Sequence, residues 1–375
     1  MIDTFLIKKS KKTYDAIVVG SGISGGWAAK ELCERGLKVL MIERGPPVRH
    51  RVDYTGEGKA PWQLPHRGEV DRKLAEDQYH VQRKCYAFNE ATRPFFGNDR
   101  DYPYSTAEGT HFDWIRGNSL GGRSITWHRQ SYRWSAIDFE ENLRDGHGCD
   151  WPIRYDDLAD WYSHVEKFAG ISGSVENIPE LPDSECLPAF EMNPVELHIK
   201  NLIEKKYPNL KYIQGRCAHL SEPTQFFYDQ GRAKCMTRNQ CQRGCSFGAY
   251  FSTLSSTLPA ALKTNNLEIA CNSVVHSVIY DEESNRAKGV NVIDAETLET
   301  REYRANMVFL CASTLGTAQI MLNSKSTAFP NGIANSSGVL GHYLMDHIYN
   351  VNASGIIDGF DNSYPRGNRP TGPVI

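Results

Sequence analysis

An α/β fold built on a parallel sheet is predicted by three stretches of this sequence. Tyr14–Val19 is a largely apolar, β-branched run that leads straight into Gly20-x-Gly22-x-x-Gly25, with a helix-like segment behind it. Met307-Val308-Phe309-Leu310-Cys311 is an unbroken apolar run of the kind that fills a central parallel strand, buried on both faces. Between the two, residues 267–305 read as short period-two strands around the turn Asp281–Asn285, which predicts a β-meander.

The first stretch carries the chemistry. Gly20 permits a tight turn out of the strand, Gly22 lets backbone approach a pyrophosphate, and Gly25 lets the new helix pack against the strand. The helix N-terminal N–H groups and dipole then face the negative charge. The helix is expected over Ser24–Arg35 with Gly36 as its stop, and Leu37–Ile42 as a second buried strand. That strand ends on Glu43, eighteen residues after Gly25, where an acid can accept from a ribose hydroxyl. An acid here argues for an unphosphorylated ribose, hence FAD or NAD, and the turn alone leaves these two level.

Residues 46–113 lose both periodicities and carry prolines, charges and aromatics, which predicts a functional loop region or cap. In Trp114–His128, the three glycines Gly117, Gly121 and Gly122 within six positions suit a loop pressed flat against a large ligand, because no Cβ holds the backbone away. Trp127, Tyr132 and Trp134 add aromatic bulk expected near that ligand. An amphipathic helix is expected over Asp156–Phe168, with Leu158, Trp161, Tyr162, Val165 and Phe168 on one face. A Pro/Glu-rich linker spans Glu176–Pro194. Helices are expected over Val195–Lys206, Ser252–Leu262 and Thr314–Asn323, and a strand over Lys211–Cys217.

The composition excludes several classes of function. With 375 residues, 40% hydrophobic and 23% charged, the chain reads as two or three globular domains. A net charge of −3 and the lack of a long Lys/Arg run argue against nucleic-acid binding. No segment approaches the roughly 18 apolar residues needed to cross a bilayer. Met1–Thr13 has no apolar core of the signal type, which makes a cytoplasmic location the expectation. The ten cysteines are scattered, unlike a disulfide scaffold, with one exception. Cys235-x5-Cys241-x3-Cys245 lies in a glycine-bearing loop where three soft thiolates could converge on an iron–sulfur cluster or zinc. Three unmetallated thiols, or one disulfide, are the other readings.

Taken together, Gly20–Glu43, Gly117–Trp127, Cys311–Ser324 and Gly338–His347 resemble the glucose–methanol–choline (GMC) flavoprotein oxidoreductases, and most closely their bacterial sugar dehydrogenases of the gluconate 2-dehydrogenase and glucoside 3-dehydrogenase type. The resemblance implies FAD in a discontinuous Rossmann-like domain (10–45, 114–135 and 225–345) carrying the β-meander. It also implies a partial α+β substrate domain made of cap segments 46–113, 136–224 and 346–375. Gly20, Gly22, Ile23 and Gly25 match the pyrophosphate turn, Glu43 and Arg44 the adenosine ribose end, and Val275 the backbone contact to adenine. Arg116, Gly117, Gly121, Gly122 and Ser124 match the segment under the flavin, and Ala312-Ser313 the return loop. Where some relatives bond a histidine covalently to the flavin this chain has Thr126, so non-covalent FAD is expected. The cysteine trio resembles the segment that holds a [3Fe–4S] cluster in FAD-dependent sugar dehydrogenases.

The implied activity is oxidation of an alcohol group of a sugar, polyol or glycoside, with electrons passed to a non-oxygen acceptor. A small subunit and a cytochrome or quinone acceptor are the implied partners, and co-export with such a subunit would make the location periplasmic. An oxidase using O2, or a truncated non-catalytic flavin-binding protein, are the competing expectations. The family's catalytic histidine lies in a C-terminal segment that nothing here matches; the chain therefore reads as an N-terminal portion, with apolar surface left uncovered. His128 and His347 sit in marked motifs but read as structural or cofactor-adjacent, and no catalytic residue is assigned.

Overall fold

The computed structural model describes residues 13–346, 351, 353–360 and 370–375. The described residues open with β1 (Thr13–Val19), α1 (Ile23–Glu34) and β2 (Val39–Ile42), followed by the short helix α2 (Arg72–Gln78). Helices α3 (Ala136–Asp145), α4 (Tyr155–Ala169) and α5 (Pro194–Lys206), strand β3 (Ile213–Gln214) and helix α6 (Gln225–Asp229) come next. The last third holds α7 (Thr257–Lys263), strands β4 (Leu267–Ala270), β5 (Ser273–Asp281), β6 (Arg286–Asp294) and β7 (Thr300–Leu310), then α8 (Ser313–Asn323) and β8 (Pro373–Val374).

The chain divides into two compact units. One takes the described residues up to Trp127, Gln242–Ser246, and those from Ser252 to Asp346; the other takes His128–Cys241, Phe247–Phe251 and the described residues after Asn350. This division differs from the expected one in placing residues 46–113 with β1 rather than in a cap. The cause is packing: Val48, Tyr54 and Phe95 are buried in the same core cluster as Ala16, Val18 and Val39. A second tie is polar. Asp99 accepts from the backbone N–H of Val81 and Gln82, and Gln82 in turn accepts from Arg116 N and donates to Trp114 O.

The first unit is built on a six-stranded sheet in the order β4-β2-β1-β7-β6-β5. β4, β2, β1 and β7 run parallel, while β7, β6 and β5 are antiparallel. The structure corrects the expected meander in two respects. β4 leaves it and pairs in parallel with β2. The expected strands at 301–305 and 307–311 are one continuous strand, β7. Its first half, Thr300–Arg304, pairs with β6, and Arg304–Leu310 pairs with β1. α1 and α7 cover one face of the sheet above Ala16, Val18 and Val39, and α8 and the meander close the other around Ile17, Val19 and Leu40. Burying residues of this size contributes roughly 1.5–3 kcal/mol each, which is why the apolar runs of β1 and β2 are so uninterrupted. On the α1 face Met307 and Phe309, neighbours of Ala16 and Val18 in register, remain 38% and 36% exposed.

The expected helix from Ser252 starts only at Thr257. Ser252 Oγ pairs with Ser255 Oγ, and Thr253 spends its N–H on Ser124 Oγ and its hydroxyl on Gly22 O, so side chains compete with a helical ladder there.

In the second unit, Arg133 forks onto Glu166 at 2.9 and 2.7 Å and holds α4, while Arg232 donates to Ala169 O at the α4 C-terminus. The expected strand at Lys211–Cys217 shortens to β3, which pairs antiparallel with β8. No helix among the described residues is long and apolar enough to cross a membrane.

A glycine-lined dinucleotide cradle

The C-terminal ends of β1, β2 and β7 open onto a cavity of about 370 Å3. Gly20 leaves β1 with φ +96°, and a Cβ there would meet Cys311 O at 2.4 Å. Gly25 lies in the first turn of α1, where a Cβ would stand 1.9 Å from Gly20 O. Glycine at both positions lets α1 start immediately above the strand. Gly22, at the N-cap of α1, has no atom within 4 Å of its Cβ direction and faces the open space. α8 enters the same cavity at its N-terminus, through Ala312, Ser313, Gly316, Gln319 and Ile320. Two helix N-termini thus aim unpaired N–H groups and positive dipole ends at one space, the arrangement that suits a diphosphate.

Most of the residues expected to bind the cofactor are brought together here. Gly20, Gly22, Ile23, Glu43, Arg44, Arg116, Gly117, Gly122, Ser124, Val275, Ala312 and Ser313 all line the cavity, as does Trp127. Gly25 and Gly121 do not; they act behind the wall, Gly25 against Gly20 and Gly121 against the Leu254 side chain. Tyr132 and Trp134 belong to the other unit, where Trp134 packs on Phe139 and Trp151. Sequence reasoning missed Ser21, Asn118, Ser273, Gly316 and Gln319, which also line the cavity. The first two stand within the glycine motifs, and their position was the available signal. His347 lies outside the described residues, and His128 is exposed.

Glu43 ends β2 at 5% exposure. Its Oε2 accepts from Ser21 Oγ at 2.5 Å and Ser21 N at 3.1 Å, and its Oε1 accepts from Gly45 N at 2.9 Å. Burial lifts its carboxyl above the ordinary glutamate range, and the bonds from Ser21 and Gly45 offset this only in part. A carboxylate has about four lone-pair sites, so one direction remains on Oε1 for a further donor. Arg44 Nε and Asn118 Nδ2, on two lining residues, are buried donors with no protein acceptor. An acid beside a glycine turn, spare buried donors and two helix N-termini fit the ribose and phosphates of a dinucleotide. Arg116 is turned the other way. It reaches Asp99 at 3.5 Å and lies against Trp114 and Tyr104, and burial holds its guanidinium below the ordinary arginine value. Cys271, near Glu43, is pushed up to about 12 by burial and then by that charge, so it stays a neutral thiol.

The cysteine trio divides between the units, Cys235 and Cys241 in one and Cys245 in the other. Cys241 Sγ lies 3.6 Å from His219 Nε2, and Arg129 donates to Cys241 O at 2.7 Å while stacking on Tyr250. Burial above all, then Arg129, Arg232 and His128, keep His219 well below the ordinary imidazole range, so this ring is neutral. Gln242–Ser246 is held separately: Ser246 N donates to Glu57, and Arg243 donates to Lys59 O. Among the described residues no group of three or more His, Cys, Asp or Glu side chains is arranged to hold a metal ion.

The family model described as GMC oxidoreductase matches residues 14–349. The chain belongs to the GMC oxidoreductase family. GMC flavoproteins bind FAD, and the mixed α/β fold with its parallel-rich sheet is the Rossmann-like arrangement expected of them. The chain is 26% identical over 346 residues to 2-methyl-1,2-propanediol dehydrogenase of Mycolicibacterium austroafricanum, covering 91% of this chain and 56% of that protein. It is 27% identical over 346 residues to the fructose dehydrogenase large subunit of Gluconobacter japonicus, covering 89% and 58%. With the gluconate 2-dehydrogenase flavoprotein of Pantoea cypripedii the identity is 24% over 380 residues, covering 91% and 57%. The chain thus spans a little over half the length of the curated relatives it matches, and the expected likeness to bacterial sugar and polyol dehydrogenases holds.

Proposed function

We propose that this chain is the cofactor-binding portion of an FAD-dependent oxidoreductase that oxidises an alcohol group of a sugar, polyol or glycoside and passes the electrons to a non-oxygen acceptor. The observation that carries the reading is the cradle, in which two helix N-termini and a buried acid converge on one glycine-lined cavity. In this reading Glu43 accepts from the adenosine ribose, Gly22 and the start of α8 take the diphosphate, and the backbone at Val275 meets adenine. Gly117, Gly122 and Trp127 bound the flavin end. Bound FAD supplies a two-electron acceptor for the hydride of the alcohol carbon. Thr126, in place of a histidine, leaves the flavin non-covalently held.

The relatives' names support the substrate class, and the large-subunit description of the fructose enzyme supports a partner subunit; a cytochrome or quinone is proposed beyond it as the acceptor. The test is anaerobic: the FAD-loaded protein, in the longest form that can be expressed, is mixed with a panel of sugars, polyols and glycosides while the flavin band is followed. Bleaching by at least one panel member is expected. Failure to take up FAD would overturn the reading outright, and peroxide release under air would replace the dehydrogenase with an oxidase. Acid precipitation should leave a colourless pellet; a yellow one would refute non-covalent binding. The finer cofactor reading, a [3Fe–4S] cluster on Cys235, Cys241 and Cys245, rests on spacing alone. Stoichiometric iron and acid-labile sulfide, lost in Cys241→Ser, are its expected signature, and iron-free holoprotein would remove it.

A further inference from the structure

Five hydrogen bonds tie the two ends of the cradle into one buried polar ring. Ser21 Oγ donates to Glu43 Oε2 at 2.5 Å and accepts from Gly121 N at 2.9 Å. Ser124 Oγ donates to Gly121 O at 2.6 Å and accepts from Thr253 N at 3.1 Å. Thr253 Oγ1 returns to the glycine turn, donating to Gly22 O at 3.0 Å. Ser21, Glu43, Gly121, Ser124 and Thr253 are all buried and Gly22 is half-buried, so four of the five bonds lie away from water and the fifth borders the cavity. The ring joins four segments remote in sequence: the turn after β1, the end of β2, the glycine loop with Ser124, and Thr253 just before α7. Ser21 is its junction, because one hydroxyl oxygen serves both the acid at the ribose end and a loop amide at the flavin end.

We propose that Ser21 is a positioning residue that couples the adenosine half of the cofactor site to the glycine loop at its flavin half. The inference rests on the FAD reading above. Glu43 already receives three donors, so a ribose hydroxyl adds a fourth and fixes the carboxylate in the orientation that Ser21 Oγ needs. Ser21, held by Glu43, keeps its oxygen towards Gly121 N. Ser124 and Thr253 carry the same constraint back to Gly22, whose peptide lies where the diphosphate binds. Occupation of the adenosine end therefore orders the loop before any isoalloxazine is present. A buried network in a low-dielectric site transmits such a preference because each broken member leaves an unpaired polar atom.

The experiment uses the full chain and ADP, which reaches the adenosine and diphosphate positions and lacks the flavin. Amide hydrogen exchange is followed in peptides covering 117–124. In the wild type, saturating ADP is expected to slow exchange there by about fivefold or more, the lower end of ordinary coupling between sites. In Ser21→Ala, at ADP concentrations that still saturate it, the slowing should fall below about twofold. Thr253→Val breaks only the return bond to Gly22 O and should give an intermediate value, which covers the case of Ser21→Ala failing to fold. Wild-type protection that is absent, or retained in full by the foldable variants, overturns the coupling. A wild-type chain that binds neither FAD nor ADP overturns the FAD reading instead, so the two failures are distinct.

Discussion

Glu43 and Glu166 are two buried glutamates, one in each unit, and they are satisfied in opposite ways. Glu166 is 7% exposed and meets a full cation, the Arg133 guanidinium, which also donates to Tyr155 Oη and Ser163 Oγ, while Glu185 N donates to Glu166 Oε2. Glu43 is 5% exposed and meets only neutral donors, the N–H groups of Ser21 and Gly45 and the Ser21 hydroxyl. Opposite charge closes a site: Arg133 cancels the Glu166 charge inside the protein, Glu185 N adds a third donor, and the pair locks α4. Neutral donors leave a carboxylate its charge uncancelled, so its open accepting direction is worth more to a ligand hydroxyl. Burial of a charge is thus uninformative until its partners are named.

The pair in the second unit gives the larger effect. Arg133→Met should lower unfolding stability by about 3–5 kcal/mol, because it strands a buried carboxylate. Denaturant melts measure this, and a loss under about 1 kcal/mol would mean that water reaches Glu166. The double change Arg133→Met with Glu166→Leu should recover most of the loss, since the apolar pair leaves no charge unpaired.

On the other side of the comparison the effect moves from folding to binding. Glu43→Gln removes the charge and turns one accepting oxygen into a donor that faces Ser21 or Gly45. FAD affinity should fall roughly 10–100-fold, the value of a hydrogen bond to a charged group, about 1.5–3 kcal/mol. Fluorescence titration of the apoprotein reads this directly. Unchanged affinity would remove Glu43 from the ribose site.

The same contrast marks how far the sequence could be read. The strand, glycine turn, helix and terminal acid from Tyr14 to Glu43 were legible because each depends on neighbours within one βαβ unit. The glycine loop at Gly117–Gly122 was legible because only a missing Cβ explains so many glycines together. The ring through Ser21, Gly121, Ser124 and Thr253 was not, since its partners lie up to 231 residues apart and serine carries no periodic signal. Val48, Tyr54 and Phe95 were missed as core residues because they enter through irregular loops, without a 2.0 or 3.6 residue spacing to mark them. β7 was divided in two because Arg304 and Asn306 interrupt its apolar pattern, just where it passes from its antiparallel to its parallel partner.

The smallest effect is a pH slope, and it tests the charge on Glu43 alone. Burial raises this carboxyl from 4.5 in the folded state, so the folded chain binds its proton more tightly than the unfolded chain does. Stability then falls as pH rises, by 2.303RT times the difference in protons bound, across the window from the unfolded value up to the folded one. The contribution is complete below that window and lost above it. Urea melts of the apoprotein from about pH 5 to 8 should therefore show wild-type stability declining relative to Glu43→Gln, whose amide does not titrate. FAD should flatten the difference, because a ribose hydroxyl donating to Oε1 favours the ionised form and draws the folded value back down. Equal slopes in the two apoproteins would show that Glu43 enters the fold already ionised at no cost, and that the neutral donors of Ser21 and Gly45 do for it all that Arg133 does for Glu166.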